Sequence, residues 1–138
     1  MTDGLEGDAG RLRVGLADTS VFIAAEQRRP LAMAPPDRFS VSVVTIGELR
    51  LGVLAASDGF ARAQRLETLS AVEQLNPLPI DAPVAHAWAA LRVALRDTGK
   101  RMPINDSWIA ATALAHEMPV VTQDSDYDDI PSLEVIRV

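Results

Sequence analysis

Val14-Gly15-Leu16-Ala17-Asp18-Thr19-Ser20-Val21-Phe22 is a short apolar run that stops at an acid followed by two hydroxyl residues. The pattern predicts a buried strand over 14–17 that delivers a carboxylate to its carboxyl end. In an α/β sheet that end is where ligands sit. A single acid after a strand is ordinary, because Asp18 also suits the N-cap of a helix starting at Thr19 or Ser20. Several acids carried to the same edge would instead make a site.

Strand-like and helix-like stretches alternate on either side of this segment. A short helix over 20–26 is broken by the loop containing Arg28-Arg29-Pro30 and Pro35-Pro36. Residues 40–43 alternate as a strand does. A helix over 45–56 then carries Ile46, Leu49 and Val53 on one face, and Asp58-Gly59 turns the chain into another helix over 60–73. Pro77 and Pro79 confine any strand over 75–80 to a sheet edge. Asp81 caps a helix over 82–98, with Pro83 in its first turn, Gly99 as its stop, and Val84, Trp88, Leu91 and Leu95 as its buried stripe. After the linker 100–103 come a patterned helical segment over 104–117, a strand over 119–122, an acidic loop over 123–129 and a last strand over 133–138. The alternation, without internal repeats, predicts an α/β fold with a mostly parallel central sheet covered by helices on both faces.

Composition narrows the chemistry. The 138 residues suit one domain, and residues 1–13, with three glycines and Asp3, Glu6 and Asp8, read as a flexible N-terminal extension. That segment lacks a charged region followed by an apolar one, and no run approaches the roughly 18 apolar residues of a membrane span. A soluble cytoplasmic protein with no membrane partner is expected. There is no cysteine, which excludes disulfides and thiolate chemistry, and the presence of only two histidines, His86 and His116, argues against a multi-histidine zinc site. A metal would be held by oxygen, as Mg2+ or Mn2+ is. A net charge of −6 argues against gripping nucleic acid by surface charge alone.

Asp18, Glu48, Asp106 and the pair Asp124/Asp126 are the candidate reactive acids. Each has an ordinary alternative: Glu48 as a solvated helix residue, Asp106 as a favourable charge at a helix start. Glu48, however, has Val44 and Leu51 on its own face, and Asp106 leads a small apolar stripe of Ile109, Ala110 and Ala113. Asp124 and Asp126 follow a strand as Asp18 does. A calcium-loop reading of Asp124, Asp126 and Asp128 fails, because Asp129 stands where glycine is required and Val135 where a bidentate Glu is required. Converging carboxylates repel at neutral pH unless one is protonated or a cation binds, and a cation held this way serves phosphodiester hydrolysis. Thr19, Ser20, Asn105 and Thr122 stand beside the acids, where they can orient water or fix carboxylate rotamers.

The Asp18-Thr19-Ser20 element, the block Thr45-Ile46-Gly47-Glu48-Leu49-Arg50-Leu51-Gly52, the block Asn105-Asp106-Ser107-Trp108-Ile109-Ala110-Ala111-Thr112-Ala113, and Val121-Thr122-Gln123-Asp124-Ser125-Asp126-Tyr127 occur in the order and spacing of a known family. Together they resemble the PIN-domain ribonucleases, in particular the VapC toxins of bacterial toxin–antitoxin pairs. The resemblance covers nearly the whole of 14–138 and implies a three-layer α/β/α PIN-like domain. It also implies an Mg2+- or Mn2+-dependent endoribonuclease that is a homodimer and pairs with a cognate VapB-type antitoxin, whose C-terminal segment blocks the active-site groove. By the same resemblance Asp18, Glu48 and Asp106 are the first three metal-binding acids. Many members carry Thr-x-Asn-x-x-Asp-Phe where this chain has Thr122-Gln123-Asp124-Ser125-Asp126-Tyr127, so Asp124 is the first choice for the fourth metal contact and Asp126 the second.

Arg50, Arg92, Arg96, Lys100 and Arg101 are candidates to line a groove for RNA phosphates, against the alternative of plain surface charge. Trp88 and Trp108 suit a core or dimer interface better than a base-stacking platform. Two other functions compete: a catalytically degenerate PIN domain that only binds RNA or a protein partner, and a receiver-like phosphoacceptor domain. The second lacks paired acids before the first strand and a Lys after the last one.

Overall fold

The computed structural model describes residues 14–32 and 36–138. The expected extension over 1–13 lies outside them, as does the middle of the proline-containing loop. β1 (Val14–Ala17) is flanked by β2 (Arg38–Ser40) and β3 (Val120–Thr122), and β4 (Val135–Arg137) completes the order β2-β1-β3-β4. Every pairing is parallel, with Leu16 opposite Ser40 and Val120, and Val121 opposite Ile136. The helices are α1 (Thr19–Glu26), α2 (Val43–Leu54), α3 (Gly59–Glu73), α4 (Ala82–Thr98) and α5 (Ile104–Ala115).

Alternation along β1 and β3 explains the three layers. Leu16 and Val120 point into a core shared with Leu91 and Leu95 of α4 and with Ile109, Ala110 and Ala113 of α5. Ala17 and Val121, one residue on, face the other way and pack with Val21 of α1 and with Val138. A third cluster, Val41, Leu49, Val53, Leu69 and Val72, joins α2 to α3. The core is aliphatic because few aromatic residues are available. Gly15 is needed where β1 meets β3, since a Cβ there would come within 2.4 Å of Val121 Cγ2.

Several boundaries move from their sequence-based positions. The strand expected over 40–43 ends at Ser40, because Ser42 caps α2 by accepting from the Val44 N–H at 3.1 Å, so the helix starts at Val43 and not at 45. The segment over 75–80 contributes only a bridge between Ser42 and Leu78, consistent with its two prolines. The last strand is shorter than expected and joins the sheet in parallel beside β3. Asp58 and Asp81 cap α3 and α4, accepting from the Ala61 and Val84 N–H groups, and Gly99 closes α4 in the left-handed region at φ 70°. Trp88 is half-buried, and the buried stripe of α4 is Val84, Leu91 and Leu95.

The order β2-β1-β3 places a topological switch at β1, since the chain leaves it toward one side for β2 and later returns on the other for β3. Crevices outside the carboxyl ends of strands at such a point are where open α/β sheets bind ligands.

Candidate active site

Asp18 stands at the switch point, directly after β1, and is only 3% exposed. It occupies the N-cap position of α1 with no full capping hydrogen bond, the Ser20 backbone making only a minor contribution to its carboxyl. Its oxygens are taken instead by hydroxyls: Ser20 Oγ donates to Oδ1 at 2.6 Å and Thr122 Oγ1 donates to Oδ2 at 2.9 Å. Each hydroxyl is in turn aimed by the backbone after β3. The Gln123 N–H donates to Ser20 at 3.0 Å and the Asp124 N–H donates to Thr122 at 2.9 Å. The network thus ties the tip of β1 to the tip of β3.

Glu48, on the middle turn of α2, is reached from the same place. The Thr19 hydroxyl donates to Glu48 Oε1 at 2.6 Å and stands 3.1 Å from the hydroxyl of fully buried Thr45. Asp106 lies in the first turn of α5, and the acidic loop after β3 brings Asp126 against it. The first turn of α5 is held to α4 by the Trp88 indole N–H, which donates to Ser107 Oγ at 3.0 Å, while Ser107 donates to the Ile104 carbonyl at 2.6 Å.

These acids feel one another. Burial pushes the Asp18 carboxyl up to about 6, opposed by the hydrogen bonds from Ser20 and Thr122 and reinforced by the charge of Asp124. Burial, a hydrogen bond with Asp126 and that residue's charge push Asp106 up to about 7, with smaller contributions from Asp18 and Glu48. The four segments of chain therefore do deliver acids to one sheet edge, with Asp124 coupled to Asp18 and Asp126 to Asp106. Asn105, by contrast, is exposed and hydrogen-bonds none of these acids among the described residues.

A hard divalent cation fits this donor set in chemistry: all the groups are carboxylate or hydroxyl oxygen, and no cationic side chain bonds or pairs with the acids among the described residues. The acids are not a ready-made cage, because no three of them surround one point among the described residues. Their present rotamers are set by hydroxyls and by the Asp106–Asp126 contact, and cation binding would compete with protons for the same oxygens.

Of the basic candidates, Arg92, Arg96, Lys100 and Arg101 line one cavity of about 340 Å³ with Leu95 and Met102. Arg50 lies apart from it, exposed on α2. Trp88 and Trp108 stack on each other with centroids 4.3 Å apart and planes within 5°, and the Arg92 guanidinium lies 5.9 Å from the Trp88 centroid. The two indoles are thus partners of each other, joining α4 to α5. Thr45 and Tyr127 are site residues that sequence reasoning missed. Thr45 lies three residues before Glu48, on the same helical face, which was a usable signal. Tyr127 sits in an irregular loop where no periodicity marks a buried position.

An all-parallel α/β domain with carboxylates gathered at a switch point presents those acids where open α/β sheets bind ligands. A model of the PIN domain matches residues 16–133, and the chain belongs to that family. Within it, the chain is 52% identical over 132 residues to Ribonuclease VapC4 of Mycobacterium tuberculosis, an alignment covering 92% of this chain and 98% of the relative. It is similar to the crystal structure of VapBC-5 from the same organism, a member of the VapBC toxin–antitoxin systems, with a TM-score of 0.82, 49% identity, and 91% and 98% of the two chains covered. FitAcB from Neisseria gonorrhoeae shares the fold at a TM-score of 0.71 and 29% identity, covering 89% of this chain and 96% of that one.

Proposed function

We propose that this protein is a VapC-type toxin that hydrolyses RNA phosphodiester bonds in the cytoplasm with a bound Mg2+ or Mn2+, and that a cognate VapB-type antitoxin silences it. The observation that carries this reading is the convergence of Asp18, Glu48, Asp106 and the Asp124/Asp126 loop at the carboxyl edge of β1 and β3, with a hydroxyl donating to each of the first two acids. Asp18, Glu48, Asp106 and Asp124 would hold the cation, with Asp126 beside Asp106 as the alternative to Asp124. A cation bound there supplies Lewis-acid charge for a phosphoryl group and offsets the repulsion among the acids.

The chain's own groups do the remainder. Ser20 and Thr122 hold the Asp18 carboxylate in one orientation, and Thr19 does the same for Glu48. A carboxylate of the cluster takes the proton of the attacking water, and the departing ribose oxygen is protonated in turn. As the water oxygen bonds to phosphorus, the phosphorus–ribose oxygen bond breaks and the chain is cut in two. Arg92, Arg96, Lys100 and Arg101 supply positive charge for flanking phosphates, which a protein of net charge −6 otherwise lacks. A protein partner is supported by the exposed Leu51 and Leu54 of α2 and by Phe60, 82% exposed at the start of α3. A homodimer within a toxin–antitoxin hetero-oligomer belongs to the same reading.

The test is cleavage of an RNA pool by purified protein in Mg2+ or Mn2+. Asp18→Asn and Asp106→Asn are expected to stay folded and to lose more than about a hundredfold in rate, and expression of either is expected not to arrest growth. Cleavage at the parental rate by either variant rejects the assignment.

A further inference from the structure

Tyr127 is fully buried in the core between the sheet and α5, yet its hydroxyl has no hydrogen-bond partner. A buried, unpaired hydroxyl costs about 1–3 kcal/mol, and a phenylalanine would fill the same space without that cost. Packing therefore does not explain the oxygen. Its surroundings do: the phenol stands against the charges of Asp18, Asp106 and Glu48, with the Asp106 carboxyl in interaction range of its oxygen but without a full hydrogen bond to it.

Asp106 is also the acid that lacks what its neighbours have. Asp18 receives hydroxyl protons from Ser20 and Thr122, and Glu48 receives one from Thr19. Among the described residues no full hydrogen bond from a hydroxyl or backbone N–H reaches the Asp106 carboxyl, whose partner is another acid, Asp126. Carboxylates that ligate cations are normally oriented by a donor behind them, and loss of that donor weakens the site about 10- to 100-fold.

Resting on the reading of this cluster as a cation site, we propose that Tyr127 is a positioning residue whose hydroxyl donates to the Asp106 carboxylate in the cation-loaded protein. It completes the set in which each acid contributed by β1, α2 and α5 has its own hydroxyl donor. A small closing movement of the acidic loop or of the Asp106 side chain forms the bond.

Tyr127→Phe removes only the oxygen. Metal-free, the variant is expected to melt at the parental temperature or above it. Its affinity for Mn2+ alone, measured by calorimetry, is expected to fall about tenfold or more. A second measurement needs no variant: Tyr127 is the chain's sole tyrosine, so the phenol hydrogen-bond marker in ultraviolet resonance Raman reports on it directly. Titration of the parent with Mg2+ is expected to move that marker toward a donating phenol. Parental Mn2+ affinity in Tyr127→Phe, or a marker that stays still while the cation binds, overturns the proposal and leaves the cation site standing. A parent that takes up neither cation overturns the cation-site reading together with it.

Discussion

At Asp18, burial and hydrogen bonding pull in opposite directions: loss of water disfavours the charge, while the Ser20 and Thr122 hydroxyls stabilise it, and burial wins. Asp18 therefore titrates near 6 and Asp106 near 7, against an ordinary 3.8. Between about pH 4 and pH 7 the folded protein binds more protons than the unfolded chain. The stability this supplies is fully present below about pH 4 and is lost as pH rises through 6 and 7. Metal-free protein should accordingly melt at a lower temperature at pH 8 than at pH 5. Asp18 contributes on the order of 1 kcal/mol to that difference, a few degrees for a domain of this size. Melting curves of parent and Asp18→Asn across this range check it: the variant should show the smaller change, and equal slopes would show that Asp18 is charged throughout. Saturating Mg2+ should flatten the parent's profile as well, because the cation takes the place of the protons.

Among the elements, β1 meets β3 with the Val121 side chain filling the space that a side chain at position 15 would need. Gly15→Ala drives a methyl group to within 2.4 Å of Val121 Cγ2, and an overpacked core of this kind typically costs about 1–3 kcal/mol. Because Asp18 and Thr122 end these two strands, the same displacement should lengthen their hydrogen bond and lower cleavage. Val121→Ala in the Gly15→Ala background makes room again and is expected to restore part of both losses. A double-mutant cycle on stability with no coupling between the two positions would contradict the close approach. Helix starts were legible here where a side chain caps them, as at Asp58 and Asp81. The start of α2 was misplaced because Ser42, at the end of an alternating Ser-Val-Ser-Val run, looks equally like a strand residue and a cap.

For the whole molecule, the informative quantity is where the charge lies. A net charge of −6, from 19 acids and 13 lysines and arginines, argues against a general grip on nucleic acid, so the proposed function assigns RNA binding to the local cluster of Arg92, Arg96, Lys100 and Arg101. Arg96→Glu with Arg101→Glu should raise KM for RNA severalfold or more and reduce the dependence of binding on salt by about one unit of log slope per lost phosphate contact. Arg50→Glu, away from that cavity, should do less. Binding isotherms at several salt concentrations separate the two, and an equal effect of Arg50→Glu would place the RNA elsewhere. The linear sequence by itself determined the alternation of strands and helices, and with it the parallel sheet, because hydrophobic period and capping residues are local properties. It also marked the acids, since an acid at the end of an apolar run is conspicuous. What only the tertiary structure decided is which groups meet: Asp124 with Asp18, Asp126 with Asp106, Thr19 with Glu48, and the buried hydroxyl of Tyr127 among them. Those pairings join residues up to about a hundred positions apart across the strand order β2-β1-β3-β4, and they depend on distances that no local pattern encodes.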